Sequence, residues 1–210
     1  MQTDWDTLSQ TIHQCIRCPL CQRRTNAVPG EGNLSPTLML VGEGPGQRED
    51  ETGRPFVGPA GQLLDQMLAA IGLKREDVYI ANVVKCRPPQ NRTPLEEEAE
   101  ACLPFLRQQF LLLRPKIILC LGATPSRYLI SPNVRIFRDH GMWTEKKGVW
   151  FMPTFHPSAL LRNQSLKRDA WEDWKKVRDR LNGKDNVSPL PSPAHTEKPQ
   201  EEQMHMDLDL

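Results

Sequence analysis

Two cysteine pairs, Cys15-x2-Cys18 near the N-terminus and Cys86-x15-Cys102 in mid-chain, are the side chains best equipped for chemistry in this sequence. Thiolates hold zinc or iron–sulfur centres, and spacing this uneven does not suit a compact zinc finger. It predicts a domain folded back on itself, so that a loop and a helix meet the N-terminal segment around one metal centre, zinc or iron–sulfur. The polar start MQTDWDTLSQ is not a signal peptide, so metal ligation is expected of the six cysteines rather than disulfides. Cys21 extends the first pair to C-x2-C-x2-C, but no fourth cysteine follows three residues later, and it is taken as a non-ligand. Cys120, inside the apolar run Ile117–Leu121, is expected to be a small buried hydrophobe.

Three further places carry polar groups in unusual settings. These are the turn Gly42-Glu43-Gly44-Pro45-Gly46, then Asn82 shortly before Lys85-Cys86-Arg87-Pro88-Pro89, and finally His156-Pro157-Ser158. Each is common alone. Four apolar runs bring them together: residues 37–42, 78–84, 116–121 and 149–155 read as strands buried on both faces. Helical patterns lie between them. Leu63, Leu64, Met67, Leu68 and Ile71 form one stripe over 59–71, with Gly72 as C-terminal cap. Thr93-Pro94-Leu95-Glu96 reads as a capping box opening a helix that carries Cys102. Trp171, Trp174, Val177 and Leu181 share helical spacing over 167–181. The predicted fold is a three-layer α/β/α domain with a central four-stranded parallel sheet, whose functional site lies beyond the C-terminal strand ends.

Of the 210 residues, 1–183 are expected to form the domain and 184–210 a disordered acidic tail rich in Pro, Ser, Glu and Gln. The tail holds two basic and six acidic residues, a charge of −4, so the overall +1 leaves +5 on the domain. That balance is compatible with a polyanionic partner. No apolar run is long enough to span a bilayer, and a cytoplasmic, nucleoid-associated monomer is expected.

With the cysteines, the stretches GEGPGQRED (42–50), TGRPFVGPAGQLL (52–64), NVVKCRPPQNR (82–92) and PTFHPS (153–158) resemble family 4 uracil-DNA glycosylases, the iron–sulfur branch of that superfamily. The resemblance runs from about Cys15 to about Leu181. It implies a [4Fe–4S] cluster on Cys15, Cys18, Cys86 and Cys102, and hydrolysis of the N-glycosidic bond of uracil in DNA. An abasic site is left for base-excision repair.

The residues read the same way physically. A base inside a duplex must be flipped into a pocket before its glycosidic bond can be reached. Telling uracil from cytosine needs a group that accepts from N3–H and donates to O4, and the Asn82 carboxamide does both. Phe56 stacks on the base and leaves little room for a C5 methyl. His156 stabilises the departing uracil anion through O2, assisted by amides of the Gly42–Gly46 turn, Gly44 among them. His140 is its rival for that role; His13, His195 and His205 are weaker. Family 1 enzymes place a water-positioning aspartate where this chain has Gly44; here Glu43 either orients water or braces the loop.

DNA contacts are expected from Ser158, Leu161, Arg162, Lys167 and Arg168, with Leu161 or Arg162 as wedge, and from Arg87 and Arg92. A cross-linking branch of the superfamily uses a histidine in a Lys-Arg-Arg-Ile-His insertion. Residues 134–140, VRIFRDH, lack that run and its spacing, so suicide cross-linking is rejected. Gln203–Leu208 matches the pattern of peptides that dock on bacterial sliding clamps, a candidate partner. The competing readings are a non-catalytic iron–sulfur nucleic-acid-binding protein and a redox carrier. The first leaves Asn82, Phe56 and His156 intact without a purpose, and the second leaves the pocket unexplained.

Overall fold

The computed structural model describes residues 2–184. The remainder of the acidic tail, with His195, His205 and the candidate clamp peptide Gln203–Leu208, lies outside the described residues. Six strands form one sheet: β1 (Glu31–Gly32), β2 (Leu38–Gly42), β3 (Tyr79–Asn82), β4 (Ile117–Leu121), β5 (Thr144–Lys146) and β6 (Val149–Thr154). Their order is β1-β3-β2-β4-β6-β5. The four predicted runs supply β2, β3, β4 and β6, all parallel, with Leu40 beside Ile80 and Leu119. Two edge strands were not predicted, and both are antiparallel. At two and three residues they are too short and polar to show a period. The β5–β6 hairpin turns on Lys147-Gly148, both at positive φ (50° and 79°), as a two-residue turn of matching twist requires.

Eight helices are described: α1 (Gln2–His13), α2 (Gln47–Thr52), α3 (Pro59–Ala70), α4 (Glu96–Leu113), α5 (Ala123–Leu129), α6 (Ile136–Asp139), α7 (Pro157–Arg162) and α8 (Lys167–Leu181). Alternation along the strands sorts them into layers. Met39, Val41, Ile118 and Cys120 face α1, α4 and α5, packing on Leu8, Ile12, Leu106 and Leu129. Leu38, Leu40, Ile117 and Leu119 face α3 and α8, packing on Leu64, Leu68, Trp174 and Val177. Each fully buried aliphatic in these layers contributes roughly 1.5–3 kcal/mol. Gly72, at φ 80°, closes α3 with its N–H on Ala69 O and the Leu73 N–H on Leu68 O, the paired bonds of a Schellman cap.

Two local expectations are corrected. Leu95, not Thr93, caps α4, which begins at Glu96 and leaves Pro94 outside. The Glu98 carboxylate reaches back to the Leu95 N–H at 2.8 Å and is also gripped by Arg92, so the acid three places into the helix decides the start. Trp171 is 37% exposed and stands off the apolar stripe that Trp174 and Val177 bury.

Candidate active site

A cleft of about 570 Å3 opens beyond the C-terminal ends of β2, β3, β4 and β6. The chain leaves β2 for β3 on one side and later crosses to β4 on the other, so the strand order reverses there and the loops part. Glu43, Gly44, Phe56, Asn82 and His156, predicted from separate stretches of sequence, all line this cleft.

Asn82 ends β3 and is 1% exposed, yet its Oδ1 is buried without a hydrogen-bond partner. An orphaned buried acceptor is costly unless a ligand supplies the donor. Gly42 ends the adjacent β2 in register with Asn82. A Cβ at Gly42 would collide with Asn82 Oδ1 and come within 2.6 Å of Phe56 Cζ, so close approach, not backbone angle, demands glycine.

Phe56 adopts φ 52°, in the left-handed region a non-glycine residue occupies only when held there. Two residues hold it. Arg75 donates to the Phe56 carbonyl at 3.0 Å and the Pro55 carbonyl at 2.6 Å, while pairing with Glu31 and Asp65. Glu49 accepts from the N–H groups of Val57 and Gly58, both at 2.8 Å, and of Gly46 at 3.1 Å. Glu49 thereby ties the glycine turn to the loop bearing the ring. Neither role was apparent in the sequence, although Glu49 three residues after Gly46 is the acidic half of a helix cap.

His156 follows β6 and faces the Phe56 ring, centroids 5.5 Å apart at 33°. Its Nδ1 accepts from the Ser158 N–H at 3.1 Å and lies 2.8 Å from the Ser158 hydroxyl. A backbone N–H can only donate, so the ring proton resides on Nε2. Burial, with the Arg162 cation nearby, pushes His156 down to about 4, and the ring is neutral at physiological pH. The rival His140 is engaged elsewhere. Its Nδ1 lies 3.0 Å from both oxygens of Asp173, which Thr154 also binds at 2.7 Å, and it does not line the cleft.

Glu43 meets the cleft with one carboxylate oxygen taken by the Thr124 hydroxyl, from the first turn of α5. Thr124 was not anticipated; its signal is its position just after Gly122, where β4 ends at the switch point. Of the predicted DNA contacts, Ser158, Arg162 and Arg92 line the cleft, and Leu161, Lys167 and Arg168 are exposed beside it in sequence. Arg92 is bound by both oxygens of Glu98, at 2.8 and 2.7 Å, and Arg87 donates to Asn91 at 2.8 Å. Both arginines therefore stiffen the 85–92 loop.

Cys15, Cys18, Cys86 and Cys102 border a second, smaller cavity between α1, the 85–92 loop and α4. Cys21 borders it too, whereas Cys120 is fully buried in β4. All six cysteines are free thiols. Three N–H groups address the sulfurs: Arg24 Nη1 to Cys86 at 3.1 Å, the Lys85 amide to Cys102 at 3.3 Å, and the Arg17 amide to Cys15 at 3.5 Å. Burial pushes the Cys102 thiol up to about 11 and raises Cys86 and Cys18, so these sulfurs gain from a cation or metal that stabilises thiolate. Among the described residues, no three His, Cys, Asp or Glu side chains converge on a point that would hold a single metal ion.

Residues 29–175 match the family model of the uracil DNA glycosylase superfamily. A type-4 uracil-DNA glycosylase of Thermotoga maritima is 49% identical, over 82% of this chain and 92% of the relative. That of Archaeoglobus fulgidus is 42% identical, over 82% and 90%. A type-5 uracil-DNA glycosylase of Pyrobaculum aerophilum is 30% identical, over 74% and 83%.

Proposed function

The chain belongs to the uracil DNA glycosylase superfamily, with the type-4 enzymes, and from that premise we propose how it excises uracil from DNA and leaves an abasic site. The orphaned Asn82 Oδ1 carries the reading: it accepts from uracil N3–H while Nδ2 donates to O4. Cytosine presents an unprotonated N3 and an amino group there, and meets this amide with acceptor against acceptor and donor against donor. Phe56 stacks on the ring. The His156 Nε2–H donates to O2 and strengthens as negative charge grows on the departing base. The neutral imidazole donates this hydrogen bond without giving up its proton, so the base departs as a stabilised anion. Thr124 holds one oxygen of Glu43 and leaves the other to orient the attacking water.

Arg162 and the exposed Lys167 and Arg168 meet phosphate, and Leu161, 46% exposed, enters the space left by the flipped nucleotide. Cys15, Cys18, Cys86 and Cys102 are the ligands for a [4Fe–4S] cluster. All four thiols border one cavity, Cys86 and Cys102 are buried, and N–H groups directed at Cys15, Cys86 and Cys102 fit such a group. Such a cluster supplies cross-linking of α1, the 85–92 loop and α4, outside the catalytic set. A cytoplasmic location with the nucleoid is part of this reading, supported by the action on DNA of the relatives it resembles. Gln203–Leu208 is retained as a clamp-docking peptide, tested by deleting Gln203–Leu210 and measuring clamp affinity.

The function is tested by incubating single- and double-stranded uracil DNA with wild type, Asn82→Ala and His156→Ala, then cleaving abasic sites with alkali. Wild type cuts the strand and the variants lose most of that activity; an intact strand with wild type rejects the reading.

A further inference from the structure

Phe137 is 73% exposed in α6, on the rim of the cleft that holds Asn82 and His156. A lone exposed aromatic is ordinary on a protein surface. This one is held in place. Its edge meets the ring of Phe155, a buried wall of the cleft, at 5.6 Å and 62°, and His140 packs on Phe155 at 4.7 Å. Asp139 fixes the short helix beneath it by accepting from the Arg135 amide and pairing with Arg138. The uracil contacts described above do not use Phe137. Flipping a nucleotide leaves its neighbour with an uncovered face, and an aromatic side chain at the pocket mouth can replace the lost stacking whatever the base. Arg135 and Arg138 in the same segment, and Arg162 on the same cleft, favour a strand of phosphates over an apolar protein partner.

We propose that Phe137 is a stacking platform for the base adjacent to the extruded uracil in the same strand. This rests on the glycosylase reading. The test uses a single-stranded oligonucleotide carrying non-hydrolysable 2′-fluoro-2′-deoxyuridine with 2-aminopurine on one side or the other. Phe137→Ala should bind it about 5- to 150-fold more weakly, the loss expected for one base–aromatic stack. It should also lose the change in 2-aminopurine fluorescence that wild type produces on one of the two sides. Phe137→Trp should keep both, and thermal melting of both variants should match wild type, since the ring is at the surface. An active wild type with Phe137→Ala equal to it in affinity and fluorescence overturns the proposal alone. A wild type that neither binds nor cleaves uracil DNA removes the glycosylase reading and the proposal with it.

Discussion

The Nζ of Lys85 donates to the main-chain carbonyl of Asn82 at 2.8 Å, deep inside the protein. Lys85 is 1% exposed, its amide donates to Cys102 Sγ, and its Nζ also binds Gln109 Oε1 at 2.6 Å. One residue thus joins the cysteine site to the strand end that carries Asn82, and a group held by those cysteines would have a route to the cleft.

Replacing Lys85 by Met keeps the volume and removes the donor. Gln109 Oε1 then lies buried without its partner, costing about 1–3 kcal/mol. Denaturant unfolding should show that loss, and KM for uracil DNA should rise several-fold as Asn82 loosens. A variant with wild-type unfolding and wild-type KM would show that the bond transmits nothing.

The acid limb of kcat/KM should reflect His156 at about pH 4, not the ordinary histidine range. Protonation puts a hydrogen on Nδ1 facing the Ser158 N–H, so activity falls as pH drops through that value. Arg162→Gln removes a cation that disfavours protonation, and the limb should move to higher pH. The same shift makes the fold lose stability as pH falls from the unfolded histidine value near 6.5 towards 4, since the unfolded chain binds the proton first. Rate profiles of both proteins between pH 3.5 and 8, set in roughly half-unit steps around the ordinary histidine value, decide the point; superimposable limbs would count against it.

Thr124→Val is nearly isosteric and deletes the hydroxyl that holds Glu43. If Glu43 orients water, single-turnover rates should drop about 10-fold or more while substrate affinity stays level, less than the roughly 10²–10⁴-fold of losing the acid–base group itself. Loss of affinity with an unchanged rate would instead make Glu43 a brace of the glycine turn.

Among the cysteines, Ser substitution of Cys86 or Cys102 should abolish bound iron and sulfide and lower the melting temperature. Cys120→Ala and Cys21→Ser should retain both. Iron and sulfide analysis of purified protein separates these outcomes. Iron loss in Cys21→Ser would move that residue, which borders the same cavity, into the ligand set.

Much of the fold was readable along the chain because its signals are local. Strands buried on both faces must be apolar throughout, and Leu38–Gly42 and Ile117–Leu121 are so; α3 and α8 announce themselves by their stripes. The edge strands β1 and β5 escaped because two or three residues have no period to read. Thr93 has a good local capping pattern, but the Glu98 carboxylate, bonded to the Leu95 N–H and held by Arg92, moves the start of α4 to Leu95.

The site divides along the same line. Asn82, His156 and Glu43 stand out because polar residues at the ends of apolar runs have few structural reasons to be there, and Phe56 because it follows Arg54-Pro55 in a loop. Residue type and strand order therefore determined which groups meet at the sheet edge. Their chemical states depend on hydrogen bonds closed through space. Thr124 reaches Glu43 across 81 residues of sequence, and Arg75 reaches Phe56 across 19. The tertiary structure alone left Asn82 Oδ1 without a donor and turned His140 to Asp173, whereas the His156 proton is set on Nε2 locally, by the Ser158 N–H two residues on. A side chain's reactivity follows from its neighbours, and folding, not adjacency in the chain, chooses them.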